Sequence, residues 1–321
     1  MPRKLRIQYP GAIYHVMNRG DQREEVFRDE ADREQFLATL GQACGKTQWQ
    51  VHAYCLMRNH FHLVLETPEP NLVYGMKWLL GTYTKRFNIR HKLCGHLFAG
   101  RYQALLVEGS GNGYLRTVCD YVHLNPVRAH LLPPEAPLQS YGWSSYGYYL
   151  KAPPLRPGWL RVDRLLGEKG IPLDSEAGRQ QFAKLMESRR AQEAAAAYAA
   201  VRRDWILGSE EFRRELLAAA SEGIGPTHYG GQRRETELAK AERLLKSEFQ
   251  RLGWKEEALS LLPKGHPVKV QLARQLRQET ILSLKWIASR LHMGSWSYLS
   301  NLLAEPPKPL TLCQNTLPLF P

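Results

Sequence analysis

His60 and His62 flank Phe61 in a run of alternating character, and two imidazoles spaced i, i+2 can aim ring nitrogens at one cation. On a strand, alternate residues share a face. The two rings would stand side by side while Phe61, Leu63 and Leu65 turn to the core. A lone His-x-His arises often by chance, so a second element must support it. That element is Tyr114–Ala129. Placed on a helix, Leu115, Val118, Val122 and Ala129 form an apolar stripe. Tyr114, Thr117, Tyr121, Asn125 and Arg128 follow another line at three- and four-residue spacing. A phenol, a carboxamide and a guanidinium would then share one face. A surface tyrosine above an amphipathic helix gives the same spacing, so the pattern alone does not assign a nucleophile.

The elements that must hold these groups follow from periodicity. Ile13–Val16 reads as a first strand and Ala31–Ala43 as a helix opened by Asp29 and Glu30. Val51–Met57 and Phe61–Leu65 read as a hairpin turning at Arg58-Asn59, without the usual glycine. That turn sets Met57 opposite His60 and Cys55 opposite His62. His52 then falls on the other face, as a structural or surface residue. Leu72–Phe87 reads as a second helix, Gln103–Val107 as a strand, and Gly113–Ala129 as a third helix. The order strand, helix, strand, strand, helix, strand is the ferredoxin-like split βαβ pattern, so an α+β core is expected.

Pro153, Pro154 and Pro157 mark a change of regime, and a boundary is expected near residue 150. Strands are scarce beyond it. Helices are expected over Phe182–Val201, Phe212–Ala220 and Thr236–Arg251, with a glycine-rich loop at Gly223–Gly231. The expected division is 1–150 as the chemical domain, 151–260 as a helical linker region, 261–305 as a helix-turn-helix and 306–321 as a frayed tail. In Leu282–Leu303, Gly294 provides the turn, Ser295 the cap, and Ile287, Ala288, Leu291, Leu299 and Leu302 the shared core. Trp296, Ser297, Ser300 and Asn301 would face a DNA major groove. An ordinary αα-hairpin is the alternative.

Composition narrows the partners. The 321 residues carry 44 Lys+Arg against 31 Asp+Glu, a net charge of +13. Residues 1–150 hold 17 basic against 12 acidic groups, so both halves are basic, which points to a polyanion such as nucleic acid. No apolar run is long enough to span a membrane or to serve as a signal peptide. Five scattered cysteines without a CxxC pair suit a reducing cytoplasm, the expected location.

The motifs His60-Phe61-His62 after Met57-Arg58-Asn59, Gly95-His96-Leu97-Phe98-Ala99-Gly100-Arg101-Tyr102, and Tyr121-Val122-His123-Leu124-Asn125-Pro126-Val127-Arg128-Ala129 occur in this order. With Tyr141-Gly142-Trp143-Ser144-Ser145, they resemble the single-tyrosine HUH transposases, most closely the REP-associated tyrosine transposases, over roughly residues 5–150. The resemblance implies that His60 and His62 are metal ligands and Tyr121 the nucleophile, with Tyr114 its rival. Asn125 occupies the place of a third ligand and is one methylene shorter than the usual Gln. The implied metal is Mg²⁺ or Mn²⁺, with zinc kept open because Cys55 shares the histidine face. The implied reaction is cleavage and rejoining of single-stranded DNA through a 5′-phosphotyrosine. Its substrate would be a hairpin or palindromic repeat with flanking duplex.

A groove for that strand is sought among Tyr83, Phe87, Tyr102, Arg86, Arg90 and Arg101, with Arg128 as a further contact. The sequence leaves open whether a homodimer forms. The competing reading is a non-catalytic DNA-binding regulator with a relic HUH core. An RNA-binding module is weaker, because no RNP aromatic signature is present.

Overall fold

The computed structural model describes residues 7–133, 135–191, 201, 206–222, 231–254 and 256–304. The chain divides into two compact units, 1–224 and 225–321.

The first unit is built on a five-stranded sheet: β1 (Ala12–Arg19), β2 (Gln50–Met57), β3 (His60–Thr67), β4 (Gln103–Val107) and β5 (Ile206–Leu207). The order is β2-β3-β1-β4-β5, with β1 to β4 antiparallel and β5 parallel to β4. The first four strands, with α1 (Glu30–Thr47) between β1 and β2 and α2 (Leu72–His91) between β3 and β4, form the expected split βαβ core. Asp29 caps α1 by accepting from Asp32 N at 3.0 Å, as the acidic opening predicts. The turn at Arg58-Asn59 lacks a glycine but is braced from outside. Val26 and Phe27 N–H groups donate to Arg58 O, and Gly20 N–H donates to Asn59 O.

The pleat sorts the side chains. Phe61, Leu63 and Leu65 face the side where Phe36 of α1 meets Phe61 at 4.9 Å and Tyr83 of α2 meets Phe36 at 5.1 Å. The histidine side is covered by α3 (Tyr114–His123), which packs on β2 and β3. The expected single helix over Gly113–Ala129 is instead two. Leu124 leaves the helical region (φ −87°, ψ 3°) and α4 (Asn125–Arg128) restarts beyond it. Pro126 has no N–H to donate to the Val122 carbonyl, so the α3 ladder of backbone bonds stops there. Ala129, past this break, is exposed and leaves the buried stripe of Leu115, Val118 and Val122.

The first unit extends well past residue 150. The Tyr141–Ser145 segment lies along the edge of β2. Leu56 N donates to Trp143 O, Ser145 N to Tyr54 O, and the Tyr141 hydroxyl to Leu56 O. The prolines at 153–157 lead directly into Leu160, which bridges to Val51. α5 (Tyr146–Tyr149), α6 (Asp163–Glu168) and α7 (Glu176–Ala191) follow, and Phe182 stacks on Tyr149 at 4.9 Å. α8 (Glu210–Glu222) comes after β5. The compact units therefore divide at 224/225, where the sequence pattern places a boundary near 150. Residues 192–200, Gly223–Gly230 and the tail after Pro306 lie outside the described residues.

The second unit contains α9 (Gly231–Leu252), α10 (Ala258–Leu261), α11 (Pro267–Glu279), α12 (Leu284–Arg290) and α13 (Trp296–Ala304). Its core includes Ala241, Leu272, Leu276, Ile287, Ala288, Leu291 and Leu299, while Leu302 is half-buried. No helix among the described residues is long and apolar enough to cross a membrane.

Candidate active site

His60 and His62 stand on the α3 face of β3, with ring centroids 5.1 Å apart and planes at 84°. Their neighbours follow the register. His62 lies between Met17 and Cys55, and His60 lies between Arg19 and Met57. The pairing of Cys55 with His62 and Met57 with His60 is the one the turn predicts. The face they share is not open. His62 is 2% exposed because α3 lies over it, whereas His60, at the strand end, is half-buried. Burial lowers the pKa of His60 to about 4, helped by Arg19, and carries that of His62 well below the usual imidazole range. Both rings are therefore neutral at pH 7, the form that binds metal.

A third imidazole joins them. His15 of β1, 6% exposed, places Nε2 2.9 Å from His62 Nδ1 with the rings nearly parallel. Burial, with Arg128 adding, lowers its pKa to about 4. Sequence reasoning missed His15. One histidine in an apolar strand carries no signal, and more than forty residues of chain separate it from β3.

Tyr121 of α3 meets this group edge-on, 5.6 Å from the His15 ring and 5.7 Å from that of His62. Tyr114 lies seven residues earlier, about 10 Å along the helix. Arg128, although beyond the break, folds back. Its guanidinium sits 4.1 Å from the Tyr121 ring centroid and donates to the Tyr121 carbonyl. Asn125 is buried at the start of α4, so it is no longer one regular helical turn from Tyr121. The imidazole within hydrogen-bond distance of His62 is that of His15.

Helix α3 is anchored from behind. Lys169 pairs with buried Asp120 at 2.7 Å, and Glu168 accepts from Arg116 N at 2.9 Å. His123 Nε2 lies 2.8 Å from Ser145 Oγ. His52 is a structural residue, fully buried and 3.1 Å from Glu66. A β-bulge between Val51 and Ala53 lets it reach Glu66, which the strict two-residue alternation did not foresee.

The expected aromatic and basic groove does not form as a unit. Tyr83 and Phe87 are core residues on the opposite face of the sheet. Arg90 is bound to Asp29 and Asp32, and Arg86 to Thr39 and Gln42. Tyr102 is buried, and Arg101 is exposed in the bend before β4. The adjoining loop meets the His60 end of β1, where Ala99 N donates to Arg19 O and Asp21 N to Leu97 O.

In the second unit, α12 and α13 are joined by residues 291–295, with His292 and Gly294 at positive φ (50° and 83°). Tyr298 N donates to Ser295 Oγ at 3.2 Å, so Ser295 is the expected cap. Lys269 is fully buried and donates to Leu259 O, Leu262 O and His292 O, which ties the turn to the core. Trp296 is 57% exposed, Ser297 and Asn301 are exposed, and Ser300 is half-buried.

The first unit is thus an α+β sheet domain with paired strand histidines facing a helical tyrosine. Residues 8–125 match the model of the family described as Transposase IS200 like, the class of protein that the motifs resemble. The match runs from just before β1 to the first residue of α4 and includes His15, His60, His62 and Tyr121. A solved structure described as the REP associates tyrosine transposase bound to a REP hairpin is similar at 14% identity and a TM-score of 0.40. The similarity covers 50% of this chain and 91% of that one. No curated protein matches the chain.

Proposed function

We propose that this protein cleaves and rejoins single-stranded DNA at a hairpin-forming repeat, with Tyr121 as nucleophile. The observation that carries the reading is the meeting of Tyr121 with His62 across the sheet face, inside a domain matching a transposase family. In the cleavage step the Tyr121 phenolic oxygen bonds to phosphorus and the bond from phosphorus to the 3′ oxygen breaks. The phenol proton is lost, the departing oxygen gains one, and a 5′-phosphotyrosine and a 3′ hydroxyl result. The new linkage is a phosphodiester like the old one, so a 3′ hydroxyl can reverse the step and join a different end without a nucleotide cofactor.

The donor set can hold a divalent cation, and the resemblance implies Mg²⁺ or Mn²⁺. His60 and His62 offer neutral nitrogen, Asn125 is the candidate third donor, and burial drives the Cys55 thiol away from the thiolate that zinc favours. Among the described residues no cage of three or more His, Cys, Asp or Glu side chains exists, so remaining positions would fall to water and phosphate. When bound, such an ion offsets the charge that develops on the phosphate. The protein's own part is to hold Tyr121 beneath α3. Arg128 packs on its ring, and a duplex would keep the target phosphate from reaching that depth.

Arg101 at the His60 end of the sheet is the proposed contact for the single strand. The second unit is proposed to grip flanking duplex through Trp296, Ser297, Ser300 and Asn301. A labelled hairpin oligonucleotide incubated with Mn²⁺ tests the reading. A covalent adduct on denaturing gels is expected from wild type and not from Tyr121→Phe. Hairpin binding without any adduct would instead make the protein a regulator with an inactive core.

A further inference from the structure

His15 and His62 are diagonal neighbours on adjacent strands, since His15 pairs with Val64 and His62 with Met17. Their ring nitrogens lie 2.9 Å apart, and both rings are buried beneath α3. Two nitrogens at that distance share one proton, and the placement of that proton decides what His62 can do. If His15 Nε2 donates it, His62 carries its own proton on Nε2 and has no outward lone pair. If His62 Nδ1 donates it, His62 Nε2 keeps the lone pair. While the proton lies between them, the two facing nitrogens cannot both bind a cation.

We infer that His15 is a positioning residue, which accepts the Nδ1–H of His62 and so holds His62 in the tautomer whose Nε2 can bind metal. The inference rests on the proposed role of His62 as a ligand. Partners of this kind commonly fix the tautomer and ring orientation of a metal-binding histidine. Here the partner is an imidazole from another strand, where a carboxylate or carbonyl is usual. The same ring stands edge-on to Tyr121 at 5.6 Å, so His15 supports both the ligand and the tyrosine side of the site.

The full chain, labelled with ¹⁵N-histidine and free of metal, tests the assignment by NMR. The His62 signals, identified by their loss in His62→Ala, should show Nδ1 protonated. An Nε2-protonated His62 overturns the inference and leaves the metal reading standing. Mn²⁺ titration of the same protein gives a second readout. His15→Leu should weaken Mn²⁺ binding about 10- to 100-fold, the usual effect of losing such a partner. His15→Gln, whose side-chain carbonyl can accept the same hydrogen bond, should stay within a few-fold of wild type. Pulsed EPR should count the same number of histidine nitrogens on Mn²⁺ in all three proteins. One nitrogen fewer in both variants would make His15 a ligand and overturn the inference. So would undiminished binding in His15→Leu. A wild-type protein that retains no Mn²⁺ overturns the metal reading itself, and the inference with it.

Discussion

At the scale of single residues, the site is a buried group whose members hold one another, and this separates the consequences of two similar substitutions. His62 is closed off by α3 and bonded to His15, so His62→Ala leaves the His15 nitrogen buried without its partner. That should cost about 1–3 kcal/mol of stability as well as adduct formation. His60 is half-buried at the strand end, and His60→Ala should lose adduct formation with a smaller stability change. Denaturant midpoints measured beside adduct yields decide this. Equal destabilisation by both substitutions would contradict the burial difference. Tyr121→Phe keeps the ring packing against His15, His62 and Arg128, so it should lose no more than about 1.5 kcal/mol, one hydrogen bond, while the adduct disappears. His60, His62 and Tyr121 were legible because alternation and motif order point to them. His15 was not, because the pairing of β1 with β3 is set by a long connection and core packing.

At the scale of elements, α3 carries the proposed nucleophile, and much of what fixes α3 comes from beyond residue 140. Lys169 neutralises Asp120, whose carboxyl is pushed up by burial and drawn down by that ammonium. Lys169→Met should therefore destabilise the unit by about 3–5 kcal/mol, and Asp120→Leu/Lys169→Met should recover much of it, because a matched apolar pair strands no charge. A double variant no more stable than Lys169→Met would show that the pair is not what anchors the helix.

His123, at the end of α3, is fully buried against Ser145, and burial, with Lys169 adding, lowers its pKa to about 3. The folded protein thus holds this ring neutral while the unfolded chain protonates it below about pH 6.5. Its contribution to stability is full above pH 6.5 and is lost as pH falls from there toward 3. In that window it adds up to about 1.4 kcal/mol per pH unit to the slope. Chemical denaturation of His123→Gln between pH 4 and 7 should show the slope reduced by up to one proton. An unchanged slope would place the ring in water. Periodicity read the helix correctly as far as His123. The break at Pro126 was written in the chain, but the amphipathic line through Asn125 and Arg128 masked it.

At the scale of the whole molecule, Pro153, Pro154 and Pro157 read as a linker because composition reports local stiffness and not where the chain goes next. Here it returns to the sheet. Leu160 bridges to Val51, Arg164 binds Glu66 at 2.8 Å, and β5 extends β4. A fragment ending at residue 150 lacks these pairings and Lys169 together, and should be insoluble or unfolded. A fragment ending at 224 keeps the first compact unit with every proposed catalytic group, and should still form the Tyr121 adduct on a single-stranded hairpin.

The two units carry 30 Lys+Arg against 23 Asp+Glu and 14 against 8, so removing the second takes away nearly half of the positive excess. If that unit neutralises duplex phosphates, the 1–224 fragment should bind flanking duplex more weakly. Its log–log salt dependence should also be shallower, by about 0.9 for each phosphate no longer neutralised. Trp296→Ala in the full chain should lower duplex affinity while the salt slope holds, because the indole is uncharged. A 1–224 fragment with undiminished duplex affinity and slope would assign the duplex binding to the first unit and leave the α12–α13 hairpin without a DNA role.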